Sequence, residues 1–424
     1  MPQLPLQLPV LQNWSCHNCG GCCRQHAIEI TAEEKLRIER QNWQGEPGFP
    51  KDQPIFEWHA GSPWNKRYML AHRPDGACVF LDENGLCRIH AKFGEQAKPL
   101  ACRIYPYAFH PAGKSIAVGL RFSCPSVVSN LGRKLTENRD EIKELQRLTV
   151  PESAGSYPPP FITARQRLDW RDTLQFIRAL EDSIAREDLP LRTRILQSLA
   201  WMNLVEQSNF ENIQGVRLAE YLQLVTSGAL DEATEYLSGQ ELEPTRVSRT
   251  PFRQLVAHYA RRDTAVELRE GLAGRWKLLR AAFAFARGTG LTPALQPGLQ
   301  SVPFENISAW RQAFPPGVDE LLTRYLRVKI QSLHFCGGAF YDWPLTDGYF
   351  ALVLILPVMI WISRWLAASE GREAWTIEDL RRAIAIADHH HGYSPIVGSW
   401  GFRRRIALFR KTGDLIRIPM WYLE

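Results

Sequence analysis

Cysteine is almost absent from most of this 424-residue chain: its last 300 residues hold one, Cys336. Charge of one sign is not in surplus either. Lys and Arg number 51 against 45 Asp and Glu, a formal +6, too small an imbalance to argue for nucleic acid. The longest uncharged apolar run, residues 348–363, lies between Asp347 and Arg364 and is interrupted by Pro357. A spanning helix needs about 20 apolar residues, so the run predicts a buried core helix and no membrane partner. The opening MPQLPLQLPVLQNW has no basic n-region and no small-residue cleavage site, and does not read as a secretory signal. The expected compartment is therefore the cytoplasm, where grouped thiols hold metal rather than form disulfides.

Familiar catalytic motifs are missing as well. No P-loop, H-E-x-x-H or G-x-S-x-G occurs, and no G-x-G-x-x-G stands at a strand–helix junction. Gly288-Thr289-Gly290 follows a helical stretch and reads as a helix stop. Cys19 and Cys23 have the first spacing of a Cys-x3-Cys-x2-Cys triad, but no cysteine follows three residues later. The catalytic residues are unknown from the sequence.

Eight of the nine cysteines lie in the first 124 residues. Residues 1–130 are rich in Cys, Gly, Pro and Trp, with short strand-like alternation at 27–30 and 67–71. Thr31 and Glu34 have the spacing of a capping box opening a short helix. A metal would substitute for the core that so loop-rich a region lacks. Residues 131–160 read as a short helix and a linker, PESAGSYPPP, whose prolines hold the backbone extended. From 161 to 424 the pattern is helical. At 318–333 the apolar positions 318, 321, 322, 325, 326, 330 and 333 fall on one face. Similar patterns run through 168–185, 191–205, 216–226, 252–259, 276–286, 350–368, 377–387 and 400–409. The fold class expected is mainly α: a small, irregular, metal-stabilised cysteine-rich N-terminal domain, then an all-α domain.

The cysteines carry the chemistry. Two-residue gaps between Cys16, Cys19 and Cys22 let successive thiolates reach one centre, and Gly20 and Gly21 permit a tight turn. Cys22 and Cys23 are adjacent and are expected to point in different directions, one toward the centre of Cys16 and Cys19 and the other toward a second centre or the interior. Cys78, Cys87, Cys102 and Cys124 complete a candidate ligand set of eight. It suits two four-cysteine sites, or a four-iron cluster beside a four-thiolate zinc; spacing and ligand softness leave zinc and iron both open. Arg24, Arg88 and Arg103 each follow a cysteine, where a guanidinium would offset the charge of a thiolate centre. His17, His26 and His90 are further nitrogen donors, expected behind the thiolates or at the surface.

Cys16-x2-Cys19-x2-Cys22-Cys23 followed by Ile28-x-Ile30-Thr31-x2-Glu34 resembles the opening of the CxxCxxCC cysteine-cluster family. Cys78-x-Phe80-Leu81, Cys87-Arg88-Ile89-His90 and Pro99-x2-Cys102-Arg103-x-Tyr105-Pro106 extend the likeness over residues 14–125. Lys98 stands where that family usually has Arg, and His90 where Tyr is common. The resemblance implies a zinc- or iron-chelating domain. The family includes flagellin lysine N-methylases, so the resemblance also implies an iron–sulfur cluster (four-iron), S-adenosylmethionine as methyl donor, and a protein substrate such as flagellin. Two readings of another class stand beside it: a zinc-held interaction module and an iron–sulfur redox protein.

Three features outside the cysteine region lead to plainer expectations. The run His389-His390-His391 is expected to be a solvated helix end, Cys336 a lone buried thiol, and Arg403-Arg404-Arg405 a solvated helix face.

Overall fold

The computed structural model describes residues 3–46, 48–49, 53–62, 66–239, 242–262, 271–308 and 312–424. Among the described residues, eight strands lie within the first 167 positions: β1 (Leu6–Gln7), β2 (Glu29–Ile30), β3 (Phe56–Ala60), β4 (Arg67–Leu70), β5 (Tyr107–Pro111), β6 (Ile116–Leu120), β7 (Phe161–Thr163) and β8 (Gln166–Arg167). They make two three-stranded sheets, β2-β4-β3 and β1-β6-β5, and the hairpin β7-β8. In the first sheet β4 is central and antiparallel to both neighbours, with Glu29 opposite Met69 and Trp58 opposite Tyr68. In the second, β1 runs parallel to β6, pairing Leu6 with Ile116, while β5 folds back antiparallel on the other side.

Between the strands lie α1 (Gly21–Gln25), α2 (Ala32–Glu39), α3 (Arg88–Phe93), α4 (Leu100–Ile104), α5 (Pro125–Val128) and α6 (Arg139–Thr149). The capping box is present at α2. Thr31 Oγ1 accepts from the Glu34 backbone N–H, and the Glu34 carboxylate accepts from the Thr31 N–H at 2.8 Å. Its second oxygen takes the Leu100 N–H at 2.6 Å, so the cap also anchors the turn that presents Cys102.

Helices then dominate: α7 (Trp170–Ile184), α8 (Leu191–Gln207), α9 (Val216–Gly239), α10 (Arg246–Ala260), α11 (Gly271–Arg287), α12 (Phe304–Ser308), α13 (Val318–Gln331), α14 (Leu345–Ser369), α15 (Ile377–Asp388), α16 (Trp400–Lys411) and α17 (Asp414–Tyr422). The apolar run is the heart of α14. It is the one described helix long and apolar enough to cross a membrane, and its most apolar stretch is wholly buried. A helix that is apolar all round belongs at a centre. Helices α8, α10, α12, α15, α16 and α17 pack around it, with β7.

Two apolar cores result. A small one under the first sheet joins Ile30, Ile38, Trp43, Leu70, Phe80 and Ile89. The large one is not confined to the helices: it takes in Leu6, Ile116, Val118, Leu120, Phe122 and Val127 as well as the helical interior. Strand β6 is buried at every position, and a Cβ on Gly119 would lie 2.8 Å from Ser332 Oγ at the end of α13. The second half of the cysteine region thus shares its core with the helices. Residues 151–160 are anchored too. They contain a 3-10 turn, Glu152–Ser156, with Ala154 buried and Gly155 against Leu4.

Close approach makes a sharp requirement in the first turn of α14, where a Cβ on Gly348 would overlap the Phe335 carbonyl oxygen. A backbone atom cannot swing aside as a side chain does. Gly348→Ala is therefore expected to lower unfolding free energy by about 2 kcal/mol or more, measured by urea denaturation. An unchanged midpoint would contradict this packing.

Candidate metal centre

The first four cysteines are placed by backbone that only certain residues tolerate. Asn18 (φ 53°) and Gly20 (φ 66°) are left-handed, a region open to Gly and acceptable to Asn. The chain therefore turns twice between Cys16 and Cys22. The turn rests on another: a Cβ on Gly20 would lie 3.2 Å from Leu81, and one on Gly85 3.0 Å from the Asn18 carbonyl. Asp82 Oδ1 holds that second turn by accepting from the Asn84 and Leu86 N–H groups. The Cys78 N–H donates to the Cys23 carbonyl at 2.7 Å, which draws two distant cysteines together. Cys87 and Cys124 stand just before α3 and α5, and Cys102 lies within α4.

All eight line one cavity of about 540 Å³. Cys16 and Cys19 are exposed, Cys22, Cys23, Cys87 and Cys102 half-buried, and Cys78 and Cys124 buried. Cys336, also buried, does not line it. Burial pushes the Cys78 thiol up to about 12 and raises Cys102 and Cys124 as well. For Cys22 the hydrogen bond with Cys23 raises it most, ahead of burial. The Cys22 and Cys23 sulfurs are 3.9 Å apart and both line the cavity, so these neighbours do not diverge as expected. Around tetrahedral zinc, with Zn–S about 2.3 Å, sulfurs stand about 3.8 Å from one another. Among the described residues, no three His, Cys, Asp or Glu side chains converge on one point as a ready shell for an ion. The donors surround a space instead, and their chemistry, eight soft sulfurs, fits zinc or iron–sulfur ligation.

The residues expected behind the thiolates divide. His90 lines the cavity, as do His17 and His26. Arg24, Arg88 and Arg103 do not. Arg24 faces Asp75 at 3.7 Å, Arg103 pairs with Glu144 at 2.9 Å, and the Arg88 guanidinium lies beside Gly48. Each follows its cysteine at or in a helix, where successive side chains diverge by about 100°. The cations that do line the cavity are Lys98, Arg121 and Arg133, none of them next to a cysteine. Lys98 was visible in the sequence only as a departure from the family pattern.

Against the cavity stands a polar seam from the helical part. The expectation of a solvated histidine run is overturned: His391 is fully buried, His390 nearly so, and His389 stacks on His26 at 5.0 Å between centroids. Asp388 and Lys329 form a fully buried ion pair at 2.6 Å. Asp388 also accepts from Tyr325 Oη at 3.2 Å and from the Ser123 N–H at 3.1 Å, one residue from Cys124. Lys329 contacts His334 Nδ1 at 3.0 Å, and His334 stacks on His110. Arg121 lies over the Tyr393 ring at 3.7 Å. Burial drives His110 down to about 4 and His389 to about 3, with His334 and His391 also well below the usual imidazole range. Burial lowers Lys329 too, against the pull of Asp388.

One sequence signal for this seam existed. Lys329 follows Val318 by eleven residues, three turns on, and so falls in the middle of the apolar stripe of α13. A lysine there demands a buried partner. Of the other two plain expectations, the lone buried thiol agrees with the structure, since Cys336 is buried. The arginine run agrees only in part, because Arg403 and Arg404 are exposed while Arg405 is half-buried and burial lowers its guanidinium.

The N-terminal region is a metal-binding cysteine-cluster domain. Residues 15–125 match the CxxCxxCC family, described as "Putative zinc- or iron-chelating domain". Over 56 residues, 13% of this chain, the sequence is 34% identical to the Flagellar biosynthetic protein FliU of Salmonella muenchen. That match spans 33% of the FliU length. No solved structure matches the chain.

Breaking the buried pair tests the seam. Asp388→Ala would leave Lys329 uncompensated and is expected to cost about 3–5 kcal/mol. Replacing both, Lys329→Met with Asp388→Leu, should cost clearly less than the single change in denaturant titrations. A double variant no better than the single would show that the carboxylate matters through its other partners.

Proposed function

We propose that this protein is a cytoplasmic iron–sulfur enzyme that N-methylates lysine on a protein substrate such as flagellin, using S-adenosylmethionine. The observation that carries the reading is the convergence of eight cysteines on one cavity of about 540 Å³. That is room for a polynuclear cluster rather than one ion. The likeness to a flagellar biosynthetic protein and the resemblance to flagellin lysine N-methylases support the choice of substrate. The reducing cytoplasm suits a site of free thiols.

Cys16, Cys19, Cys22, Cys23, Cys78, Cys87, Cys102 and Cys124 are the ligand set from which the centre would be held. When bound, a four-iron cluster supplies one-electron chemistry and an electrophilic metal. Lys98, Arg121 and Arg133 offset the negative charge of the thiolates from the cavity wall. Trp14 and Tyr105 wall the same space, limiting water around the sulfurs. His26, held neutral by burial first and by Arg121 second, offers a ring nitrogen without adding charge. Methyl transfer moves a methyl group from the donor's sulfonium to the neutral lysine amine, which then loses one proton.

Anaerobic purification with metal and sulfide analysis tests the centre: the expected result is a coloured protein containing iron and acid-labile sulfide. Cys19→Ser and Cys102→Ser should each lose metal and destabilise the N-terminal domain. A colourless protein with one or two zinc ions would replace this reading by a zinc-held interaction module. Calorimetric titration of the reconstituted protein with S-adenosylmethionine tests the enzyme, with saturable binding expected. Absence of binding to a protein that holds its cluster would point to a redox role instead.

A further inference from the structure

Helix α11 (Gly271–Arg287) has two apolar faces, and the fold uses one. Gly274, Ala281 and Phe285 are buried, and Phe285 packs on Phe304, Trp361 and Trp365. Arg253 and Thr250 of α10 bond the Phe285 and Ala286 carbonyls at 2.9 and 3.1 Å. The helix is therefore firmly seated. On its outer side Leu272, Trp276, Leu279 and Phe283 are 75, 63, 60 and 68% exposed. Their spacings are four, three and four residues, and at about 100° per residue they fall within about 60° of one another, some 16 Å long. Single exposed apolar residues need no explanation, but a contiguous stripe does.

We propose that this stripe is a docking seam for an acidic amphipathic helix of a partner protein. Spacing of four and three is the a/d pattern by which two helices interlock, with Trp276 and Phe283 at a and Leu272 and Leu279 at d. The flanking e and g positions are Ala273, Arg275, Arg280, Ala282 and Arg287. Every charge on those flanks is positive, and α11 contains no acidic residue at all. These positions set partner choice in paired helices, so the matching helix carries Glu or Asp there. A second copy of this chain is disfavoured, because two such seams would set arginine against arginine. A membrane surface is disfavoured by width: interfacial helices bury a broad apolar face, whereas this stripe is the narrow seam of a helix pair. The inference rests on α11 alone and stands whether or not the cysteine cavity is a methylase.

The test uses the full-length protein and a fluorescently labelled three-heptad synthetic helix with Leu at a and d and Glu at e and g. Anisotropy should show saturable binding, at least about tenfold tighter than to the same peptide with Lys at e and g, and weakened by salt. Leu279→Ser with Phe283→Ser should lose at least about tenfold in affinity, with the circular dichroism and melting temperature of the parent. Trp276→Ser serves as an independent variant should the pair fail to fold. Arg275→Ala with Arg280→Ala should flatten the salt dependence. Failure of the Glu peptide to bind, or equal binding of both peptides, overturns the proposal. So does binding of phosphatidylglycerol vesicles in place of peptide, or a dimer in sedimentation that the Ser variants abolish.

Discussion

The carboxylate of Asp388 holds three donors at once inside a closed interior: the Lys329 ammonium, the Tyr325 hydroxyl and the Ser123 backbone N–H. Burying a charge is costly unless it is paired and its remaining lone pairs are satisfied, so these positions constrain one another. Asp388 ends α15, Lys329 and Tyr325 lie on α13, and Ser123 leads into the cysteine at the start of α5. A second tie runs beside it. Arg324 donates to Gln12 Oε1 at 2.7 Å, to the Val127 carbonyl at 3.0 Å and to the Val128 carbonyl. The position of α5, and with it Cys124, is thus set from the helical interior as well as from the cysteine region, where Gln12 Nε2 donates to the same Val127 carbonyl at 3.1 Å.

This arrangement divides the eight cysteines by what supports them. Cys78 and Cys87 belong to the small core under the first sheet, while Cys124 belongs to the large one. The cavity lies where the two meet. A centre binding ligands from both sides would join two separate apolar clusters, so metal affinity and the stability of the junction are linked quantities. The neutral histidines packed against this wall keep its charge low while leaving polar atoms in reach.

That the eight N-terminal cysteines gather at one cavity was legible because the signals are local: cysteine spacing, the turn-forming glycine and the Thr31–Glu34 cap are all short-range. The apolar helix α14 was equally plain, since composition alone demands burial. What was hidden is long-range. The arginines beside the cysteines looked like their electrostatic partners, yet helical geometry turns Arg24 toward Asp75, Arg103 toward Glu144 and Arg88 toward Gly48. Of the cations that reach the cavity, Lys98 showed in the sequence only as a departure from the family pattern, and Arg121 and Arg133 stood in no motif. The histidine run read as a solvated end because three polar residues after a helix usually are; here Asp388 begins the run, and its burial draws the histidines in. The proline segment 151–160 was read from local stiffness, which says nothing about what the chain is pressed against.

Exposure across the cavity is graded, with Cys16 and Cys19 at the solvent side and Cys78 and Cys124 enclosed. The site therefore has an outside and an inside. Chelators, oxidants and metal carriers in solution meet the outer pair first, while the inner thiols are reached only through the space the outer ones border. Loading and damage share one door, and the two residues that frame it sit on the loop where Asn18 and Gly20 bend the chain.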